Sequence, residues 1–423
     1  MPDYQNQIVL EQRSKNCPLD IANEIAAQLH LIAEQVFLHK EEKDFSLLGG
    51  KAGITLLFAY LLKAFPDETN NEQVSQLLDE LSDDLAQEEL SHSMSGGFAG
   101  IAFIFQHLRN LGIISKEDDV NLAEFDEFIS KGAAIDYNFG NWDPLHGLIG
   151  LGIYFLERNK ETGDKHYLEK IIDQLSKLKK PFESNKVWVT QGVAPYSADN
   201  YNFGMAHGMP GVLSFLARVY GRGIKQNEIK EMMESCIPFI LNHECNDESV
   251  SRFPSSIDVV KKEKKEDERL YSRLAWCYGD LCVANALIHS GKALQNDMWL
   301  KKGIEVALCT THRTFEESGC VDPGFCHGAV GIVHQYNRLY QITGNELFKN
   351  ACFTWLAIMQ QHYYKKGEGA AGYLFKKYKE ESDKDNFEPD YGLLSGLTGI
   401  GLVYLSLLSD LKPDWDIVFL TNI

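Results

Sequence analysis

The sequence predicts an all-α chain, an (α/α)7 toroid of seven outer–inner helical hairpins whose glycine-rich turns line one end. Two observations carry that prediction. A unit of the form x-Gly-x-x-Gly, followed by apolar residues at helical spacing, recurs seven times, and each copy is preceded by a second helical stretch of amphipathic character. The copies are Gly49-Gly50-Lys51-Ala52-Gly53, Gly96-Gly97-Phe98-Ala99-Gly100, His146-Gly147-Leu148-Ile149-Gly150, His207-Gly208-Met209-Pro210-Gly211, Tyr278-Gly279-Asp280-Leu281-Cys282, His327-Gly328-Ala329-Val330-Gly331 and Ser395-Gly396-Leu397-Thr398-Gly399. Their first marked glycines stand 47, 50, 61, 71, 49 and 68 residues apart, room for one hairpin per repeat with loop insertions of varying length. Residues three apart share a helix face, so paired glycines let neighbouring backbones crowd together. The fifth copy departs, with Cys282 in place of the second glycine.

Taken in order, the first outer helix is expected over 19–40, where Ile21, Ile25, Leu29, Ile32 and Val36 recur at three or four. An inner helix over 49–64 is apolar on most sides and is expected to be buried. Outer stretches follow at 71–87, 117–131, 164–179, 226–243, 296–315 and 345–363. Inner ones follow at 95–108, 146–158, 208–220, 279–290, 328–341 and 396–409. The repeat makes 1–423 one large domain, with its core over about 19–408, although the length alone suggests two or three. Three longer connections interrupt it: 181–205, which contains Val187-Trp188-Val189 and can hold short strands; 245–273, which carries the mixed-charge run Lys261–Glu266; and 365–390. Loops of this length are often binding loops or lids.

The chain carries 41 Lys and Arg against 60 Asp and Glu, a net charge of −19, which argues against a nucleic-acid partner, since phosphates need a basic face. No basic-then-apolar secretory pattern opens the chain, and no stretch reaches the roughly 18 apolar residues of a membrane span. Nine cysteines, an odd number, fit a reduced cytosolic protein with a few special thiols better than a disulfide scaffold.

Two of those thiols are in register. Cys277 and Cys326 each lie two residues before the first marked glycine of adjacent repeats, the fifth and the sixth, and His327 follows Cys326. Equivalent positions on adjacent helices are about 8–10 Å apart at the backbone, so these side chains can converge on one ion. Two thiolates and an imidazole are a zinc-ligand set that leaves the fourth tetrahedral position open. Apart from Cys282 in the fifth turn, the other six cysteines (17, 236, 245, 309, 320 and 352) have no such register and read as structural. The residue before the first glycine is His in three of the seven turns, at 146, 207 and 327.

Trp276-Cys277-Tyr278-Gly279 and Cys326-His327-Gly328, together with Ala206-His207-Gly208 and the seven glycine-rich repeats, resemble the lanthionine synthetase C-like (LanC) family of class I lantibiotic cyclases, over about residues 19–408. The resemblance implies an (α/α)7 toroid and one zinc per chain held by Cys277, Cys326 and His327. It implies active-site roles for His207, Asp143, Arg273 and Tyr278. It also implies a cytoplasmic enzyme that forms lanthionine and methyllanthionine by adding precursor-peptide cysteine thiolates to dehydroalanine and dehydrobutyrine. Its partners would be the dehydrated precursor, leader plus core, and a separate dehydratase and exporter in a membrane-bound complex. The chain departs from the family at Asp280-Leu281-Cys282, where members often carry Pro-Gly, and the short-stranded extension of some members is not evident in the sequence.

Zinc fits that chemistry. Only the thiolate is a good nucleophile, and a free thiol of pKa about 8.5 is mostly protonated at neutral pH. Addition to the alkene leaves an enolate. Its oxygen calls for a positive group, for which Arg273 is the candidate, and its α-carbon needs a proton, which His207 can donate with Asp143 orienting it. Other readings use the same residues. One is a LanC-like enzyme that adds glutathione to dehydroamino acids. Another is a non-catalytic peptide-binding protein with a structural zinc, for which His146 is the available fourth ligand. A toroidal glycosidase would need a carboxylate pair, and nothing beside Asp143 marks one.

Overall fold

The computed structural model describes residues 17–40, 44–85, 90–115, 121–192, 199–245, 249–259, 272–377 and 386–422. The charge run Lys261–Glu266 and the first residues of the chain lie outside them. The described chain is mostly helical. Its α-helices are α1 (Leu19–Leu38), α2 (Lys51–Ala64), α3 (Glu68–Leu85), α4 (Phe98–Asn110), α5 (Leu122–Phe139), α6 (Leu148–Thr162), α7 (His166–Leu178), α8 (Met209–Gly221), α9 (Gln226–Leu241), α10 (Asp280–Leu294), α11 (Asp297–Thr310), the one-turn α12 (Phe315–Ser318), α13 (Ala329–Thr343), α14 (Glu346–Tyr363) and α15 (Leu397–Leu408). Each helix expected from the sequence is present. The largest shift is α5, expected over 117–131. Its apolar face runs on through Ile129 and Ala133, and the helix ends only where Gly140 takes a left-handed conformation (φ 71°). A 3₁₀ helix, Asp414–Phe419, has no counterpart in the periodicity.

The seven helices that follow the glycine turns (α2, α4, α6, α8, α10, α13 and α15) are buried almost all round, and every residue of α15 is buried. The alternate helices bury one face; in α7 that face is Leu168, Ile171, Ile172 and Leu175. Among the described residues, strands appear only in the three long connections, as antiparallel pairs of three residues each: β1 (Lys180–Phe182) with β2 (Asn185–Val187), β3 (Asn200–Asn202) with β4 (Ser256–Asp258), and β5 (Phe375–Lys377) with β6 (Asn386–Glu388). The expectation that 181–205 can hold short strands is met by β2 and β3, whereas strands in the other two connections were not expected. No helix among the described residues is long and apolar enough to cross a membrane.

By its contacts the chain divides into two compact units, Met1–Val120 with Val321–Trp415, and Asn121–Cys320 with Asp416–Ile423. The first unit holds the turns of repeats six, seven, one and two. In it, backbone amides two residues before the marked glycine bond to the next repeat in succession: Cys326 N to Leu394 O (2.9 Å), Leu394 N to Leu48 O (2.9 Å) and Leu48 N to Ser95 O (3.1 Å). The second unit holds the turns of repeats three, four and five, and Ala206 N reaches Cys277 O in the same way, with Met205 N on the same oxygen (3.0 Å). This ladder fixes the register that the repeats suggested.

The turns share one construction. Six residues before the first glycine stands Asp44, Ser91, Asn141, Asn202, Asp322 or Asp390, with Arg273 in the fifth copy. In five copies the amide two residues on is received by the Asx side chain: Ser46 N on Asp44, Asp143 N on Asn141, Gly204 N on Asn202, Gly324 N on Asp322 and Gly392 N on Asp390. The carbonyl of the same residue lies against the first glycine, so that a Cβ at Gly97 would stand 2.3 Å from Ser91 O. The second glycine meets another carbonyl and a side chain of the neighbouring repeat. A Cβ at Gly100 would lie 2.3 Å from Met94 O and 2.8 Å from Leu47 Cβ.

Candidate active site

The fifth turn breaks the pattern, and it carries Cys277. Gly279 takes φ 117°, a backbone state that L side chains rarely adopt, and a Cβ there would meet Arg273 O at 1.9 Å. Cys282, in place of the second glycine, is fully buried, and its thiol donates to Trp276 O at 2.9 Å. Burial pushes that thiol well above its ordinary range. Asp280, the first residue of α10, is buried with Arg313 as its ion-pair partner and receives the amides of Arg252 and Phe253, both at 2.9 Å. The departure at Asp280-Leu281-Cys282 thus substitutes polar contacts for close backbone approach, and the helix packs without the glycine.

Within the same unit, the turns of repeats three and four bring two predicted residues together. His207 Nδ1 lies 2.6 Å from Asp143 Oδ2. The other carboxylate oxygen, Oδ1, accepts from Leu145 N (2.8 Å) and His146 N (2.9 Å), so the turn itself aims Asp143. Burial pulls the His207 pKa down, but the Asp143 hydrogen bond and charge, with Cys277, outweigh it, and the net shift is upward. Cys277 O receives the amides of Met205 and Ala206, which ties the His207 turn to the cysteine. Tyr278 accepts a hydrogen bond from Asn202 Nδ2 (3.3 Å), and burial, opposed by that bond and reinforced by Cys277 and Asp143, raises its pKa, keeping it a neutral phenol.

Arg273 stands half-buried at the head of the fifth turn, and the structure does not join its guanidinium to the Asp143–His207 pair. The ring of His146 stacks on that of His207 (centroids 6.2 Å apart, planes at 15°). In the first unit, Cys326 and His327 are half-buried, and the buried Asp322 places Oδ2 3.4 Å from His327 Nε2. Asn202 and Asp322 were missed by the sequence reading. Their signal was the Asx residue six positions ahead of each glycine.

Cys277, Cys326 and His327 are a group that could bind a metal ion. His146 is not a member of that group. Two cysteine sulfurs and one imidazole suit zinc, which takes both ligand types and tolerates three protein ligands with one open position.

The model of the lanthionine synthetase C-like proteins matches residues 41–420. The chain belongs to the lanthionine synthetase C-like family. Among relatives of this LanC-like protein is the nisin biosynthesis protein NisC of Lactococcus lactis subsp. lactis, 23% identical over 388 residues, covering 88% of each chain. The solved structure of a nisin cyclase superposes with a TM-score of 0.75 at 21% identity over 94% of this chain and 98% of that one, and so the LanC-like protein has that fold.

Proposed function

We propose that this LanC-like protein is a zinc-dependent cyclase that forms lanthionine and methyllanthionine. It would add cysteine thiols of a dehydrated precursor peptide to dehydroalanine and dehydrobutyrine. The observation that carries this reading is the backbone tie between Cys277 and the His207 turn, which sets an Asp-backed imidazole beside a candidate metal ligand. Cys277, Cys326 and His327 would hold the metal, and when bound it supplies the Lewis acidity that keeps a peptide thiol deprotonated at neutral pH.

The residues of the chain do the rest. The peptide sulfur bonds to the β-carbon, and the alkene electron pair moves onto the α-carbon and the adjoining carbonyl. His207, with Nδ1 engaged by Asp143, presents Nε2 as the proton donor to that α-carbon. Asp143 holds the ring orientation and favours its charged form. Tyr278, neutral and with Asn202 on its oxygen, is available to donate to the carbonyl oxygen, as is Arg273. The thiol loses one proton and the α-carbon gains one, so the product is an isomer of the substrate and no oxidant is needed. The partners on this reading are the precursor peptide, a separate dehydratase and an exporter.

The test is a dehydrated peptide with one free cysteine, incubated with zinc-loaded protein. Loss of the free thiol without change of mass is expected, and His207→Ala slows it by about 10²–10⁴. Consumption of glutathione with a matching gain of mass, and no ring formation, would move the assignment to the glutathione-adding branch.

A further inference from the structure

Asp322 builds its turn as its equivalents in other repeats do, and differs from them in what its second side-chain atom meets. Its backbone carbonyl accepts Ala329 N (2.9 Å) and its Oδ1 accepts Gly324 N (2.9 Å). Asn141 and Asn202 build the same turn with an amide side chain, so the turn requires an oxygen and not a charge. What differs is the second side-chain atom, and it follows its neighbour. Asn141 Nδ2 donates to His146 O (3.0 Å), and Asn202 Nδ2 donates to the Tyr278 hydroxyl (3.3 Å). In the seventh repeat Asp390 Oδ2 pairs with Lys377. In the sixth repeat Asp322 Oδ2 faces His327 Nε2 at 3.4 Å, with the Asp322 side chain 2% exposed. A carboxylate that deep is costly unless a positive or donating group meets it.

We propose that Asp322 is the positioning residue of His327. The carboxylate holds the imidazole with Nε2–H toward itself, fixes that tautomer, and leaves Nδ1 as the donor for the metal. A carboxylate behind a ligand imidazole raises its basicity, and loss of such a partner weakens metal affinity by roughly 10–100-fold. This inference rests on the metal reading of Cys277, Cys326 and His327, and adds to it which ring nitrogen binds and what holds the ring.

The experiment compares zinc affinity, by competition with a chromophoric chelator, in the wild type, Asp322→Asn and Asp390→Asn. Asn keeps the turn oxygen, as Asn141 and Asn202 show. Asp322→Asn is expected to bind zinc about 10–100-fold more weakly, and Asp390→Asn as the wild type does. Equal affinity in the wild type and Asp322→Asn overturns the role of Asp322 and leaves the metal reading standing. A wild type that binds no zinc overturns both. Should Asp322→Asn fail to fold, nitrogen-15 NMR of histidine in the zinc-loaded wild type decides: coordination through Nδ1 of His327 supports the inference, and coordination through Nε2 overturns it.

Discussion

His207 Nδ1 and Asp143 Oδ2 lie 2.6 Å apart, and two backbone amides of the Asp143 turn hold the opposite carboxylate oxygen. The imidazole is therefore oriented by a group that is itself fixed. In the first unit the amide equivalent to Leu145 N bonds to the next repeat; here it bonds to Asp143. The third turn uses its own amide to aim a carboxylate.

That pair has a pH signature. His207 titrates above its ordinary 6.5 because Asp143 outweighs burial. The interaction is fully present below pH 6.5 and is lost as pH rises through the raised folded value. Asp143→Asn removes the charge, and burial then draws the His207 pKa below that of the wild type. NMR titration of the His207 ring checks this. The stability lost at pH 6, read from denaturant melts, is expected to be about 1 kcal/mol, since the pair is partly exposed.

Two adjacent glycines test the turn. A Cβ at Gly97 would stand 2.3 Å from Ser91 O, whereas one at Gly96 would meet nothing within 4 Å. Gly97→Ala is expected to cost about 1–3 kcal/mol and Gly96→Ala less than about 0.5 kcal/mol. Chemical denaturation of the two variants side by side decides it, and equal costs would contradict the close-approach account.

Asp280 and Arg313 form a buried ion pair, with side chains 1% and 4% exposed. Arg313→Ala leaves a buried carboxylate that also carries the Arg252 and Phe253 amides. The expected loss is about 3–5 kcal/mol, measured by thermal or denaturant unfolding.

Cys282 is a thiol of a different kind from Cys277. It is fully buried and bonded to Trp276 O, and burial keeps it protonated. Cys282→Ala is expected to leave zinc per chain unchanged, and alkylation of the native protein followed by mass mapping is expected to spare Cys282.

Much of this was legible in the sequence. The glycine turns marked where each buried helix begins because backbone carbonyls stand where a Cβ would be. The shared register of Cys277 and Cys326 was legible because the ladder through Leu48, Leu394 and Ala206 holds that position constant from repeat to repeat. The Asx residues were not read, since a side-chain-to-amide bond two residues away leaves no hydrophobic period. The end of α5 was missed by eight residues because Gly140, a left-handed stop, was not weighed. The 3₁₀ helix at Asp414–Phe419 lies beyond the last repeat, yet Phe419 O receives the Trp276 indole N–H at 2.8 Å, a contact between distant positions that no local pattern encodes.

The central claim is that Cys277, Cys326 and His327 hold one zinc. The most direct measurement is zinc per chain, by elemental analysis, in the purified wild type and in Cys326→Ala. The account predicts one zinc in the wild type and its loss in the variant, with helical content retained in both. A folded wild type that takes up no zinc would contradict it.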